Sequence, residues 1–198
     1  MLTDLVHRNR SYRRFYQDHA VSMETLTALV DLARHSASGA NLQSLKYLLS
    51  CDAATNALIF KRLGWAAYLR DWPGPPEGER PAAYILVLGD TAIHDHFFCD
   101  HGIACQSMLL GAVEKGLGGC ILASINRSGL RRDLAIEERF EILLVLALGK
   151  PREKVQIEDI EAGGDIRYWR DEQMVHHVPK RPLKEIILPM KGKTPPCL

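Results

Sequence analysis

Four arginines fall within seven residues near the start of the chain, in Arg8-Asn9-Arg10-Ser11-Tyr12-Arg13-Arg14. Guanidinium groups present paired, planar donors, and with a serine hydroxyl at this spacing they suit a phosphate or another oxyanion. A solvated basic turn would carry the same residues. A nuclear-localisation tract fits less well, because Tyr12 and Phe15 interleave the charges. The second group is Ser36-Ala37-Ser38-Gly39-Ala40-Asn41-Leu42-Gln43. Small residues let backbone amides approach a ligand closely, and Ser and Asn add side-chain donors. An ordinary loop after a helix would look alike.

The third group, Gly116-Leu117-Gly118-Gly119-Cys120-Ile121-Leu122-Ala123-Ser124, has three glycines but lacks the GxGxxG of a dinucleotide fingerprint. His94, His96 and His101 lie near Asp95, Cys99 and Asp100, yet the HxH has no matching second pair, and His176-His177 is similarly isolated. No metal site is expected. GxSxG, HExxH and P-loop patterns are absent, which removes support for three common hydrolase and nucleotidase classes.

The elements that must position these groups follow from periodicity. Ser22 can cap a helix in which Met23, Leu26, Leu29, Val30 and Ala33 recur at three- and four-residue steps. Residues 45–51 read as a strand, and a helix is expected from Ala53 to about Tyr68. The stretch from Arg70 to Pro81 holds four of the ten prolines and is expected to be loop. Its length suits a lid or pocket wall. Ala83 to Gly89 and Phe140 to Leu148 read as buried strands, the second closing at Gly149-Lys150-Pro151. From Gly102 to Lys115 the chain is apolar on nearly every face, the mark of a helix buried on all sides, in a core or between subunits. Beyond Pro151 the only helical signal is Pro182 to Ile187, and the remaining tail suits wrapping over another surface.

Composition bounds the function classes. The chain has 198 residues, 46% hydrophobic and 25% charged, with a formal net charge of +1. That is enough for one domain with a substantial core, spanning residues 1–198. The near-zero balance gives no overall electrostatic case for nucleic acid or a membrane surface. Charges interrupt every apolar run, so no membrane span is expected. The N-terminus reads as neither signal nor transit peptide, which makes the cytoplasm the expected location. Five cysteines, Cys51, Cys99, Cys105, Cys120 and Cys197, occur without a CxxC pair and are expected as reduced thiols.

The order of the groups is more specific than any one of them: R-S-x-R-x-F, a helix, S-x-S-G-x-N-x-Q, a strand, then D-x-G-I-A-x-Q-x-x-L-L-G-A leading into G-L-G-G. This order resembles the nitroreductase family of FMN-dependent oxidoreductases over nearly the whole chain. The L-G-K-P and K-R-P-L-K-E-I-I segments resemble that family's last core strand and its C-terminal phosphate-contacting arm. The resemblance implies an α+β fold, a mainly antiparallel sheet flanked by helices, assembled as an intertwined homodimer with FMN at the subunit interface. It would make the helix from Gly102 to Lys115 the dimer core.

By the same resemblance, Arg10 and Ser11 hold the ribityl phosphate, and Arg13 approaches the N1 and C2 carbonyl edge of the flavin. Ala37, Ser38, Gly39 and Asn41 reach the partner's FMN. Leu122, Ala123 and Ser124 bring backbone to flavin N5, Asp100 lies beside the flavin, and Arg181 adds a phosphate contact. The implied activity takes hydride from NAD(P)H, as NADH or NADPH, and passes electrons to a nitroaromatic, quinone or similar acceptor. No side-chain acid or base is required. The alternative is an FMN-binding protein whose flavin is structural or sensory.

The chain departs from the family pattern at three places. Asn9 stands where one of two arginines before the serine is usual, which makes Arg8 the candidate replacement. Ala37 replaces a customary proline, and Gln43-Ser44-Leu45 replaces Q-P-W. The substrate-covering insertion of larger members is reduced here to residues 65–81, where Trp65, Tyr68 and Trp72 read equally as pocket walls or as packing.

Overall fold

Each long element forms where its pattern asks for it. The structure, a computed structural model, describes residues 1–69 and 71–190, so Arg70 and Cys197 lie outside the described residues. A short helix α1 (Leu2–Arg8) leads into β1 (Phe15–Tyr16). Helix α2 (Met23–Arg34) begins where Ser22 Oγ accepts a hydrogen bond from the Thr25 amide at 3.1 Å, the cap expected from the sequence. Leu26, Leu29 and Ala33 are buried as its spacing requires, whereas Met23 projects from the first turn at 46% exposure. Strand β2 (Leu45–Ser50) follows.

Helix α3 (Ala53–Phe60) is capped by Asp52, whose carboxylate accepts from the Thr55 amide at 2.8 Å. It stops eight residues short of the expected end at Tyr68. The backbone that would continue it is taken by another segment. Arg62 O accepts from Asn126 N, Gly64 N donates to Ser124 O, each at 2.8 Å, and Leu63 bridges Ile125.

The chain continues through β3 (Ala83–Asp90), α4 (Asp100–Glu114), β4 (Gly118–Leu122), α5 (Arg127–Asp133) and β5 (Phe140–Pro151). β5 pairs with β1, β3 and β4, and β3 pairs with β2, every pair antiparallel. β3 is buried along its whole length, and its alternation divides the core. Ala83, Ile85 and Val87 pack with α2 and α4, while Tyr84, Leu86 and Leu88 pack with Ile59 and Leu130 on α3 and α5. This is an α+β fold with helices on both faces of an antiparallel sheet.

Two elements differ from expectation for a packing reason. β4 carries no apolar alternation that announces a strand, because its glycines are fitted to neighbours. A Cβ on Gly119 would lie 2.5 Å from Ala147 O, and one on Gly118 the same distance from the Tyr12 ring. α4 is buried at Ala104, Cys105, Met108, Leu109, Ala112 and Val113, but Gly102, Ile103 and Gln106 are exposed in the single chain. The all-round burial suggested by its sequence is therefore not met within one chain.

Arg14 is committed to the scaffold. Its guanidinium donates twice to Glu79, through Nη2 at 2.8 Å, and Arg152 Nε stands 3.6 Å from the same carboxylate. Both members of the Arg14–Glu79 pair are largely buried. Glu79→Gln leaves two guanidiniums facing a neutral amide and is expected to cost about 2 kcal/mol. Urea denaturation should show a lower midpoint with an unchanged slope. An unchanged midpoint would remove the pair from any account of stability.

By contact the described chain forms two compact units, Met1–Ala67 with Asp71–Arg152, and a second around Tyr68 and from Glu153 onward. The tail, expected to carry a single helix, builds a sheet of its own from β6 (Val155–Asp159), β7 (Trp169–Arg170) and β8 (His176–Lys180), followed by α6 (Leu183–Ile186). β8 pairs parallel with β6 and antiparallel with β7. These strands are too short and polar for their period to show. His177 sits between Glu158, at 2.6 Å, and Asp171, at 3.1 Å, and the two carboxylates raise its pKa. Tyr68 packs on Tyr168 with ring centroids 4.9 Å apart. In the first unit Trp65 packs against Phe60 and closely under Gly74, where a Cβ would meet its ring at 2.6 Å. Among the described residues no helix is long and apolar enough to cross a membrane.

Candidate active site

The basic segment is held by the exit of α1 and the edge of β4. Ser11 bridges Gly119, and the Tyr12 amide donates to Gly119 O at 3.0 Å. This pairing lays the Arg10 to Arg13 backbone beside the strand that ends at Leu122. Arg10 donates through Nη2 to Val6 O at 2.6 Å, but its Nε is buried without a hydrogen-bond partner. Burial lowers its pKa, and no carboxylate among the described residues pairs with it. A half-buried cation with an idle donor is a group that an anion would satisfy. The Ser11 side chain is exposed beside it. Arg13 is half-buried and donates through Nη1 to Ser11 O at 3.2 Å. Arg8, in contrast, is exposed and bound to Asp4 at 3.0 Å. Arg181 belongs to the second unit, where it pairs with Glu185 at 3.1 Å.

Leu122 is the last residue of β4 paired with β5, opposite Val145, and its side chain is buried in the core. Ala123 and Ser124 lie beyond that pairing and are exposed. Their amides do not donate in any loop or turn hydrogen bond among the described residues. An open depression of about 360 Å³ runs here between Ser124 and Gly64, flanked by Lys61 and Arg62. Those two cations already bind Asp133, at 3.2 and 2.8 Å.

The second group is built around Asp100, the first residue of α4 and only 5% exposed. Its Oδ2 accepts from Ser38 Oγ at 2.6 Å and its Oδ1 from the Gly39 amide at 2.9 Å. Ser38 Oγ in turn accepts from the Gln43 amide at 3.0 Å. Asp100 thus shapes the turn, which contains the left-handed residues Ala40, Asn41 and Gln43. Gly39 fits because a Cβ there would stand 2.9 Å from the Phe98 ring. Ala37 and Asn41 are exposed on the turn. Behind it lies a cavity of about 280 Å³, lined among others by Ala37, Ser38, Tyr47, Asp100 and Ala104. Burial, with Cys105 and Asp100 adding to it, pushes the Tyr47 hydroxyl up to about 12, so it remains a neutral donor.

One helix anchors both groups. Asn9 Nδ2 donates to Gln106 Oε1 at 3.3 Å, and Ser36 Oγ donates to Ser107 Oγ at 2.7 Å. Asp100, Gln106 and Ser107 all lie on α4, so its rigid spacing, about 1.5 Å per residue, relates the basic segment to the turn. No local pattern marks Gln106 or Ser107 as positioning residues, although Gln106 stands within the D-x-G-I-A-x-Q segment. No hydrogen bond among the described residues joins Arg10, Ser11 or Arg13 directly to Ser38, Gly39 or Asn41. Nor does any group of three or more His, Cys, Asp or Glu among them stand close enough to hold a metal.

Comparison with known proteins joins these features. Residues 6–150 match the nitroreductase family. A Bacillus subtilis (strain 168) protein named as an NAD(P)H nitroreductase, MhqN, is 23% identical, over 76% of this chain and 88% of its own. A nitroreductase family protein from Streptococcus pneumoniae TIGR4 superposes with a TM-score of 0.70 at 16% identity, covering 96% of this chain and all of the other. An FMN-dependent nitroreductase from Clostridium difficile R20291 gives a TM-score of 0.62 at 19% identity, covering 76% of this chain and 87% of its own. The matched span takes in the basic segment, the Asp100-anchored turn and the exit of β4, and the chain belongs to the nitroreductase family of oxidoreductases.

Proposed function

We propose that the protein is an FMN-dependent oxidoreductase that draws electrons from NAD(P)H and delivers them to a nitroaromatic, quinone or similar small acceptor, working as a homodimer. The observation that carries this reading is the pairing of Ser11 with Gly119, which sets an anion-ready arginine and a serine hydroxyl beside the strand that ends at two available amides. These residues fit FMN. Arg10 Nε and the Ser11 hydroxyl would hold its phosphate, and the Ala123 and Ser124 amides would orient the flavin ring. The names of the Bacillus and Clostridium relatives agree with the nucleotide donor and the cofactor.

When bound, FMN supplies the two-electron relay between nucleotide and acceptor. The chain's part is to bind, orient and bias. Arg13 would stand toward the pyrimidine edge, where a guanidinium favours negative charge. Ser38, Gly39 and Asn41, held by Asp100, would close the ring site of the partner subunit, since they make no direct bond to the basic segment of their own. The exposed strip of α4, with Ile103 at 39%, would be covered in that dimer.

The test is the visible spectrum of the purified protein before and after anaerobic NADH or NADPH. The expected protein is yellow, releases FMN on denaturation, bleaches with the reductant and regains colour with a quinone. A protein colourless after incubation with FMN overturns the cofactor assignment. FMN at full occupancy that no nicotinamide reduces overturns the oxidoreductase reading and leaves a flavin-binding protein.

A further inference from the structure

On the other side of the sheet from the Asp100-anchored turn lies a cavity of about 210 Å³, lined among others by Asp18, Asn56, Phe60, Arg80, Pro81 and Tyr84. Tyr84 is fully buried, and its hydroxyl has no hydrogen-bond partner. It alternates along β3 with Ala83 and Ile85, which face α2 and α4, so it opens toward α3 instead. Arg80 is half-buried, its Nε also lacks a partner, and no carboxylate among the described residues pairs with it. Its guanidinium carbon stands 4.4 Å from the centroid of the Phe60 ring.

The other polar groups of the cavity are occupied or peripheral. Asn56 donates to Ala82 O at 2.8 Å, and its carbonyl accepts from Ser50 Oγ at 2.7 Å. Gln17 Oε1 accepts from the Gly78 and Arg80 amides at 2.8 and 3.1 Å. Asp18 is exposed. Besides the weakly donating Cys51 thiol, two strong donors therefore remain, one cationic and one neutral, in a chamber whose walls also include the methyl groups of Ala20, Ala53 and Ala57.

We propose that this cavity is a binding site for a small organic monocarboxylate, with Arg80 and the Tyr84 hydroxyl on its two oxygens and the hydrocarbon part against Phe60 and the alanines. Water could fill the space, at roughly 30 Å³ per molecule, but it would leave the half-buried guanidinium without a counter-charge. A dianion would find one cation, a neutral hydroxyl and a carboxylate at Asp18, which disfavours phosphate. Burial holds the Tyr84 phenol protonated, with Arg80 opposing that shift, so it is a donor throughout the ordinary pH range.

The test is calorimetric titration of the protein, FMN-loaded as purified, with benzoate, with its neutral isostere benzamide and with inorganic phosphate. Benzoate is expected to bind once per chain, with benzamide and phosphate each weaker by about tenfold or more. Arg80→Gln should weaken benzoate by about 30-fold, and Tyr84→Phe by about fivefold, both with unchanged FMN content. Tyr84→Phe should also raise the melting temperature of the benzoate-free protein, since it removes an unpaired buried hydroxyl. Benzoate binding that survives Arg80→Gln lies elsewhere and overturns the proposal. So does benzamide or phosphate binding as tightly as benzoate, or no benzoate binding to the wild type. Where the Arg80 variant does not fold, Tyr84→Phe, which should fold at least as well as the wild type, locates the site: benzoate affinity that it leaves unchanged overturns the proposal, and FMN content is read separately.

Discussion

Asp100→Ala is expected to lower stability by about 3 kcal/mol and to weaken FMN binding by about tenfold, a larger loss than any other single change at the turn. Two protein groups spend their hydrogen bonds on this carboxylate, the Ser38 hydroxyl at 2.6 Å and the Gly39 amide at 2.9 Å. Bonds to a charged acceptor contribute about 1.5–3 kcal/mol each. The acceptor is also the first residue of α4, where negative charge gains a few tenths of a kcal/mol or more from the helix dipole. Without it the turn must keep Ala40, Asn41 and Gln43 in left-handed conformations, with φ of 48°, 55° and 52°, unaided. Each of these costs about 1–2 kcal/mol in a residue other than glycine, somewhat less for asparagine.

The variants of Asp100 separate anchoring from direct contact with a flavin. Asp100→Asn keeps one acceptor and should recover about half of the stability. If Asp100 instead acted only through its charge on a bound cofactor, denaturation of the FMN-free protein would show no change in midpoint while FMN affinity moved. That outcome would return Asp100 to the list of cofactor contacts and leave the turn without its explanation.

What the sequence revealed and what it hid follow from the range of the interactions involved. α2, β2, β3 and β5 were legible because each carries its own period, and Ser22 marks the start of α2 in the residue next to it. The end of α3 was hidden, since it depends on Arg62 and Gly64 finding backbone partners some sixty residues away at 124–126. β4 was hidden for a related reason. Its glycines record a fit to Tyr12 and Ala147, which no window along the chain contains. The site shows the same division. The basic segment and the small-residue turn stood out by composition, yet composition made Arg14 an equal of Arg10, and only Glu79 sets them apart. The family resemblance, not composition, pointed to Asp100 beside a flavin, and its bonds to Ser38 and Gly39 add an anchoring role that no local pattern announced.

Arg10→Ala should weaken FMN binding by about 100-fold while leaving the stability of the FMN-free protein within about 0.5 kcal/mol. The two effects part because Arg10 offers the fold little. It makes one bond, to Val6 O, and keeps its Nε buried and unpartnered, so truncation returns a desolvation cost along with that bond. A phosphate, by contrast, would meet a cation already in place, and charge-assisted bonds of this kind are roughly twice as strong as neutral ones. Fluorescence titration of FMN and urea denaturation of the FMN-free protein read the two quantities separately. A lowered midpoint with unchanged affinity would make Arg10 a strut of α1. Two neighbours sharpen the result. Arg8→Ala should change affinity by less than about threefold, because its guanidinium is exposed and already bound to Asp4. Arg13→Ala should act chiefly on the flavin's reduction potential, lowering it. A guanidinium about 4 Å from developing negative charge, at an effective dielectric near 20, contributes at most about 4 kcal/mol. Potentials measured at full FMN occupancy therefore distinguish the arginine that holds the cofactor from the one that tunes it, and an unmoved potential in Arg13→Ala would leave both with the phosphate.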